Sequence, residues 1–324
     1  MSVTWMLAAL LLTGSPAAGQ PSLDIVHQGE TVLRVNQSDY INDISGLPLI
    51  DEGKLDELIR RVAELVETAP RNAMLNGAGA IVPERPGTKL HATEFRSRFY
   101  SDVYEGGEHR LDVPLRPVYP RVDSEILSNI KLNAIGSYAT YFNSRNRNRA
   151  SNIALSAEAI NNVVVFPGER FSFNGTVGMR TREKGYLRAP VIVRGELYED
   201  IGGGICQVSS TLFNAADRAG LAITERFSHS RNVHYVPAGR DATVSWYGPD
   251  FAFTNPYNHP ILIRAFAGVG SVSVAIYSSD MLETRPREVP GASRTLPEEV
   301  RVENGGASGG ERSDMTSDAG RRKP

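Results

Sequence analysis

Between Leu47 and Pro70, in "LPLIDEGKLDELIRRVAELVETAP", apolar residues recur at Leu55, Leu58, Ile59, Val62, Leu65 and Val66. This three-and-four spacing predicts an amphipathic helix, with Asp51 as its N-cap and Pro70 closing the segment. The runs that follow, "AGAIVPE", "GTKLHATEF" and "HRLDVPLRPVYPRV", carry strand formers divided by Gly and Pro. A helix with one apolar face must be covered, and these runs are the material for a small sheet. Residues 30–122 are therefore expected to form a small α+β domain.

Ile126, Ile130 and Leu132 then point to a helical connection, and "NSRNRNRASN" is polar enough for an exposed loop. A helical linker is expected over 123–150, with the domain boundary near Arg145. After a short helix in "ASNIALSAEAINN", the pattern from Val163 to Tyr277 changes to brief strand-like runs separated by turns, among them "VHYVPAG" and "DATVSWYG". This predicts a mostly β domain over 151–278. One helix interrupts it, beginning at Cys206, with Val208, Leu212, Ala215, Ala216 and Ala219 on one face and Gly220 as its stop. Residues 279–324 are poor in large apolar side chains and rich in Gly, Ser, Pro and charge, so they are expected to be disordered. The fold class is α+β: a small N-terminal α+β domain, then a mostly β domain with one central helix starting at the cysteine.

The length of 324 residues agrees with two domains, since single domains run to about 100–200 residues. A net charge of -2 offers no basic footprint for nucleic acid. The apolar run Trp5–Leu12, followed by Gly14, Ser15 and Pro16, gives residues 1–19 the shape of a secretory signal. It is too short for the ~20 residues that span a bilayer. The expected location is extracytoplasmic: secreted, periplasmic or wall-associated.

Export changes the meaning of Cys206, the one cysteine of the chain. It has no partner for an intramolecular disulfide, and in an oxidising compartment a lone thiol is buried, pairs between chains or reacts. In the first turn of a helix, unsatisfied N–H groups and the positive end of the dipole favour the reactive thiolate. The preceding Gly202, Gly203 and Gly204 allow unusual backbone angles, leave room for a substrate against the main chain, and carry N–H groups suited to an oxyanion hole. The same features also fit a small core hydrophobe behind an ordinary turn. A nucleophilic thiol needs a base, usually histidine, and a group to orient that base. His229, in a polar loop between Ser228 and Ser230, is the leading base, with His234 and His259 as alternatives in the same domain. Asp241 is the leading orienting carboxylate and Asp250 the second. No HExxH, CxxC or clustered His and carboxylate spacing points to a metal, and no P-loop or dinucleotide fingerprint points to a cofactor.

Four runs occur in order: "FNGTVGMRT" from Phe173, "GGGICQVSSTL" from Gly202, the His229–Ser230 pair, and "YVPAGRDATV" from Tyr235. Together they resemble the VanW family over roughly Val164 to Tyr277. Residues 30–122 are similar, more loosely, to the peptidoglycan-binding domain that often precedes it. The resemblance implies a wall protein and, for some VanW domains, an L,D-transpeptidase that cross-links peptidoglycan stem peptides through a cysteine. Carried onto this chain, that nucleophile is Cys206. In such a mechanism His229 serves as base and Asp241 fixes its tautomer. Gly203 and Gly204 lie against the substrate, Ser209 and Ser210 line the acyl site, and Arg231, Arg226 or Arg240 clamps a stem carboxylate. The rival expectations are a wall-binding scaffold without catalysis and a hydrolase using the same thioester.

Overall fold

The computed structural model describes residues 22–44, 47–105, 109–193 and 196–294. The signal-like segment 1–19 and the final stretch from 295 lie outside the described residues. The chain divides into two compact units after Ser128.

Unit 1 contains β1 (Ser22–His27), β2 (Glu30–Asn36), β3 (Ile41–Ile44), β4 (Leu47–Ile50), α1 (Glu52–Val66), β5 (Met74–Leu75) and β6 (Ile81–Val82). It continues with β7 (Gly87–Leu90), α2 (Ala92–Glu105), β8 (Arg110–Asp112) and β9 (Leu115–Val118), and α3 (Ser124–Ile130) carries the chain across the division. β1 is the middle strand of a three-stranded sheet, antiparallel to β2 and parallel to β8. It begins at Ser22, ahead of the expected start at residue 30.

The Asp51 side chain caps α1 by accepting the Lys54 N–H at 3.1 Å, and the helix buries Leu55, Leu58, Ile59, Val62 and Val66. Leu65 is 56% exposed, because at about 100° per residue it falls on the rim of the apolar stripe. α2 was not legible as a helix in "HATEFRSRFYSDVYE". Its register is set by Phe95 and Phe99, four apart and fully buried in the same core as Leu23, Ile25 and Leu58. Burying each ring contributes roughly 1.5–3 kcal/mol, enough to override its mixed local preference.

Unit 2 contains β10 (Asn133–Tyr141), α4 (Arg147–Ile160), β11 (Val163–Val165), β12 (Arg170–Ser172), α5 (Phe173–Val177), β13 (Arg188–Val193) and β14 (Glu196–Ile201). Then come α6 (Ile205–Arg218), β15 (Ala222–Glu225), β16 (Ala252–Thr254), β17 (Ile261–Gly268) and β18 (Ser271–Ser278). One sheet has the order β10-β18-β17-β11, a second β12-β16-β15, and β13 pairs with β14. α6 packs on β10 and β18, and α4 on β17. The α+β class holds for the whole chain.

Three expectations change. Residues 123–150 are not a helical linker, since Asn133–Tyr141 pairs with β18 along its length; its small residues, Ala134, Gly136, Ser137 and Ala139, hide the alternation. "VHYVPAG" and "DATVSWYG" form no strand, because side chains of α6 take up their backbone groups, as described below. Finally, 279–294 is ordered against unit 2. Leu282 and Val289 are buried, Tyr138 donates its hydroxyl to Pro290 O at 2.8 Å, and Arg218 donates to Val289 O at 2.6 Å. Two apolar anchors, with one carbonyl bonded by Tyr138 and one by Arg218, hold a segment whose composition alone predicts disorder.

Candidate active site

The chain leaves β14 through Gly202–Gly204 and enters α6 directly. Gly204 is the N-cap at φ 107°, ψ -18°, a left-handed conformation that strongly favours glycine. A Cβ on Gly203 would stand 2.4 Å from Ala189 O of β13. The buried Asn152 of α4 clamps this turn, donating to Leu187 O at 2.9 Å and Gly203 O at 3.0 Å and accepting the Leu187 N–H at 2.8 Å. The space expected for a substrate at Gly203 is thus filled by the protein's own backbone. The Arg149 side chain lies in the same way against Gly204. Both glycines serve close packing and the turn, which corrects their assignment to substrate binding.

Cys206 is the second residue of α6 and is half-buried. Its Sγ lies 3.5 Å from Val244 O and 3.7 Å from Thr243 Oγ1. Those atoms belong to the irregular segment 226–245, which α6 holds through side chains. Ser209 donates to Ala242 O at 2.5 Å, and Ser210 accepts the Ala242 N–H at 2.9 Å. Asn214 donates to Arg240 O at 2.8 Å, and Arg240 returns a bond to Asn214 Oδ1 and an ion pair to Asp217, both at 2.7 Å. Arg226 donates to Gly239 O and Asp241 O, and the Arg226 and Arg240 guanidiniums lie over the Phe213 ring. Ser209 and Ser210 are fully buried and their hydroxyls are engaged with backbone, so they do not line a substrate surface. Arg226 and Arg240 are likewise occupied within the protein.

This pinned segment carries Asp241 and, at its start, His229. One carboxylate oxygen, Asp241 Oδ2, accepts both the His229 backbone N–H at 2.6 Å and the ring Nδ1–H at 2.7 Å. A carboxylate only accepts, so the Nδ1 proton is fixed and Nε2 is left free of Asp241; the ring is close enough to Cys206 for each to shift the other's titration. Burial pushes the Cys206 thiol up, but the His229 bond and charge, with the Val244 backbone and Thr243 hydroxyl, leave it below the ordinary thiol value. Burial pushes His229 down, while Cys206 and then Asp241 more than reverse this and leave it raised. Burial raises Asp241, but the two His229 N–H groups lower it overall. All three shifts favour a thiolate and imidazolium pair steadied by a carboxylate.

The remaining candidates fall elsewhere. Arg231 is exposed, beside a cavity of about 100 Å³ lined also by His229, Asn232, Gly239 and Asp241. His234 is exposed, and His259 Nδ1 meets Asn258 Oδ1 at 2.8 Å. Asp250 accepts from Ser172 Oγ and from the Asn174 and Phe251 N–H groups, so it braces α5 and orients no histidine. Two larger cavities, of about 800 and 870 Å³, are lined by residues around Arg218 and Tyr257 together with the 281–290 segment, and by none of the three triad residues. Among the described residues, no group of three or more His, Cys, Asp or Glu could hold a metal ion.

Two neighbours of the thiol went unnoticed in sequence. Burial raises the Tyr235 phenol, so that it keeps its proton, and the charge of Cys206 adds to the rise. Arg180 has a buried guanidinium whose charge is felt at Cys206. Both stand inside the quoted family runs, which is the signal that could have singled them out.

Fold and site define an α+β protein in which a helix-start cysteine meets a histidine held by an aspartate, the arrangement that thiol nucleophiles use. Residues 148–277 match the model of the family described as VanW like protein. The chain is 51% identical to "Uncharacterized protein YoaR" of Bacillus subtilis (strain 168) over 298 residues, 92% of this chain and 98% of that relative. It is 32% identical to vancomycin B-type resistance protein VanW of Enterococcus faecalis (strain ATCC 700802 / V583) over 103 residues, 30% of this chain and 38% of that relative. The chain belongs to the VanW-like family. No solved structure matches it.

Proposed function

We propose that this protein works outside the cytoplasm on peptidoglycan, as a cysteine-dependent L,D-transpeptidase that joins stem peptides. The observation that carries the reading is the convergence of Cys206, His229 and Asp241 at the start of α6. Similarity to a vancomycin resistance protein supports a role at the cell envelope.

The Cys206 thiolate attacks the carbonyl before the terminal D-Ala of a stem tetrapeptide, forming the S–C bond of a tetrahedral intermediate. The Ile205 and Gln207 N–H groups already donate to Gly202 O and Gly204 O, so the Cys206 N–H is the first-turn donor assigned to the developing oxyanion. The C–N bond then breaks, and imidazolium His229 gives its proton to the departing amine, so that D-Ala leaves and a thioester remains. The side-chain amine of a second stem attacks the thioester and loses a proton to His229. The C–S bond breaks, a new amide forms, and the thiolate is restored. Asp241 holds the Nδ1–H throughout, keeping Nε2 toward the reacting atoms. Arg231, exposed beside His229, is placed to meet an approaching stem carboxylate.

Mass spectrometry of the protein lacking residues 1–19, incubated with disaccharide-tetrapeptide beside its Cys206→Ala variant, tests this. The expected result is an acyl adduct on Cys206 and a cross-linked dimer, in the parent protein alone. An adduct with only tripeptide released would make water the acceptor and the protein a hydrolase. Binding without any change to substrate, equal in both proteins, would overturn catalysis in favour of a wall-binding scaffold.

A further inference from the structure

Among the described residues, the buried side-chain atoms without a hydrogen-bond partner are Asn174 Oδ1 and both terminal nitrogens of Arg180. The two cases differ in kind. Asn174 already donates to Ser245 O and Pro249 O, so its neutral amide is partly satisfied. A guanidinium carries five donors and keeps its charge at any physiological pH, so burying it without an acceptor strongly disfavours the fold.

Among the described residues, no acceptor pairs with the terminal nitrogens of Arg180. The Phe173 ring lies 5.8 Å from the guanidinium carbon and offers its face but no oxygen. Tyr186 is close enough to feel the charge, yet burial keeps its phenol protonated. Asp250, the nearby carboxylate, accepts from Ser172, Asn174 and Phe251 and makes no bond to Arg180. Other arginines of unit 2 show the contrast: Arg149 bonds to Gln207 at 2.7 Å, Arg218 to Val289 O, and Arg240 to Asp217.

Position adds the second half. A Cβ built on Gly202 would lie 3.4 Å from both Cβ and Cγ of Arg180. The arginine stem therefore rests on the same glycine turn that delivers Cys206 four residues later, and its charge is coupled to that thiol. The thiolate is already matched by His229. Asp241 in turn is taken up by His229, so the charges of the site balance in number, yet no anion of the protein reaches the terminal nitrogens of Arg180.

We infer that Arg180 is a substrate-binding residue that grips a carboxylate beside Cys206 through its two terminal nitrogens. The choice of carboxylate rests on the acyl-transfer reading. A donor stem cleaved at its last peptide bond ends in a carboxylate one residue beyond the attacked carbonyl, about 3.8 Å along the chain. A planar, forked donor suits it. Arg180 in this role replaces Arg226 and Arg240, which are occupied within the protein, and selects donors with a free C-terminus over amidated or extended ones.

Since Cys206 is the one cysteine in the chain, alkylation of the intact protein reports on this site alone. Iodoacetate and iodoacetamide both form the S–C bond with loss of iodide, and differ in carrying a carboxylate or a neutral amide. The rate ratio of iodoacetate to iodoacetamide should fall about tenfold in Arg180→Gln, the loss of one charge-assisted bond. Arg180→Lys, which keeps the charge without the fork, should lie between. The melting temperature of Arg180→Gln should be no lower than that of the parent, because an unpaired buried charge is removed. An unchanged ratio in Arg180→Gln overturns the inference. So does an equal fall in both rates, which would make Arg180 a stabiliser of the thiolate only. If Arg180→Gln does not fold, Arg180→Lys decides by the same ratio. A protein that keeps the iodoacetate preference but forms no acyl adduct with tetrapeptide would lose the transpeptidase reading and retain the anion site.

Discussion

The two units treat polarity in opposite ways. In unit 1, Arg96 bridges Glu52 and Asp56 between α2 and α1, and Arg34 meets Asp24 between β2 and β1. These pairs are largely exposed, and such pairs contribute about 0–1 kcal/mol each. The buried polar side chains of the described unit 1 are Gln37 and Asp102, bonded to each other. In unit 2, α6 alone carries Gln207, Ser209, Ser210, Thr211 and Asn214 into the interior. Each is hydrogen-bonded there. A buried group that loses its partner costs roughly 1–3 kcal/mol, so the bonds of Ser209, Ser210 and Asn214 hold the 226–245 segment in one position without strand pairing. The lesson is that the candidate site is built from the interior of unit 2. Its geometry follows from satisfying a polar core.

Three changes sharpen or break this comparison. The largest effect is expected from Asp241→Asn. The Cys206 thiol is held below the ordinary value near 8.5 by its histidine, so the parent protein gains reactivity toward iodoacetamide at lower pH than an ordinary thiol. An amide in place of Asp241 weakens the hold of His229 on its proton. The midpoint of the alkylation profile should then move up in pH, and the rate at pH 6 should fall about a hundredfold. An unmoved profile would mean that the carboxylate orients nothing.

Next in size is Ser210→Ala, which removes the acceptor for the Ala242 N–H. Denaturant unfolding should show a loss of about 1–3 kcal/mol, together with slower alkylation of Cys206 as the segment loosens. Loss of stability with alkylation untouched would separate the polar core from the site. The smallest effect is expected in unit 1. Arg96→Ala should cost less than about 1 kcal/mol and leave alkylation of Cys206 unchanged. A larger loss there would remove the contrast between the units.

Part of this was legible from local pattern. The periodicity of Leu55 to Val66 and of Val208 to Ala219 marks two real helices, since a 3.6-residue repeat is a property of one element and needs no neighbour to be read. Cys206 at a helix start follows from local pattern, while His229 and Asp241 stood only ahead of His234, His259 and Asp250 as candidates. α2 escaped because Phe95 and Phe99 find their partners on strands far off in sequence. β10 escaped because its pairing with β18 spans more than a hundred residues.

What the sequence by itself determined was therefore periodic and close at hand: the α+β class, the helix that begins at the thiol, and a short list of histidines and carboxylates around it. The tertiary structure decided how their neighbours are used. Gly203 packs against Ala189 rather than a ligand, Ser209 and Ser210 bind a segment thirty residues away, and Arg180, its stem against the Gly202 turn, keeps both buried terminal nitrogens unpaired. A side chain's chemistry is written in its residue type. Which of its bonds remain open depends on burial and on partners that only the folded chain brings within reach.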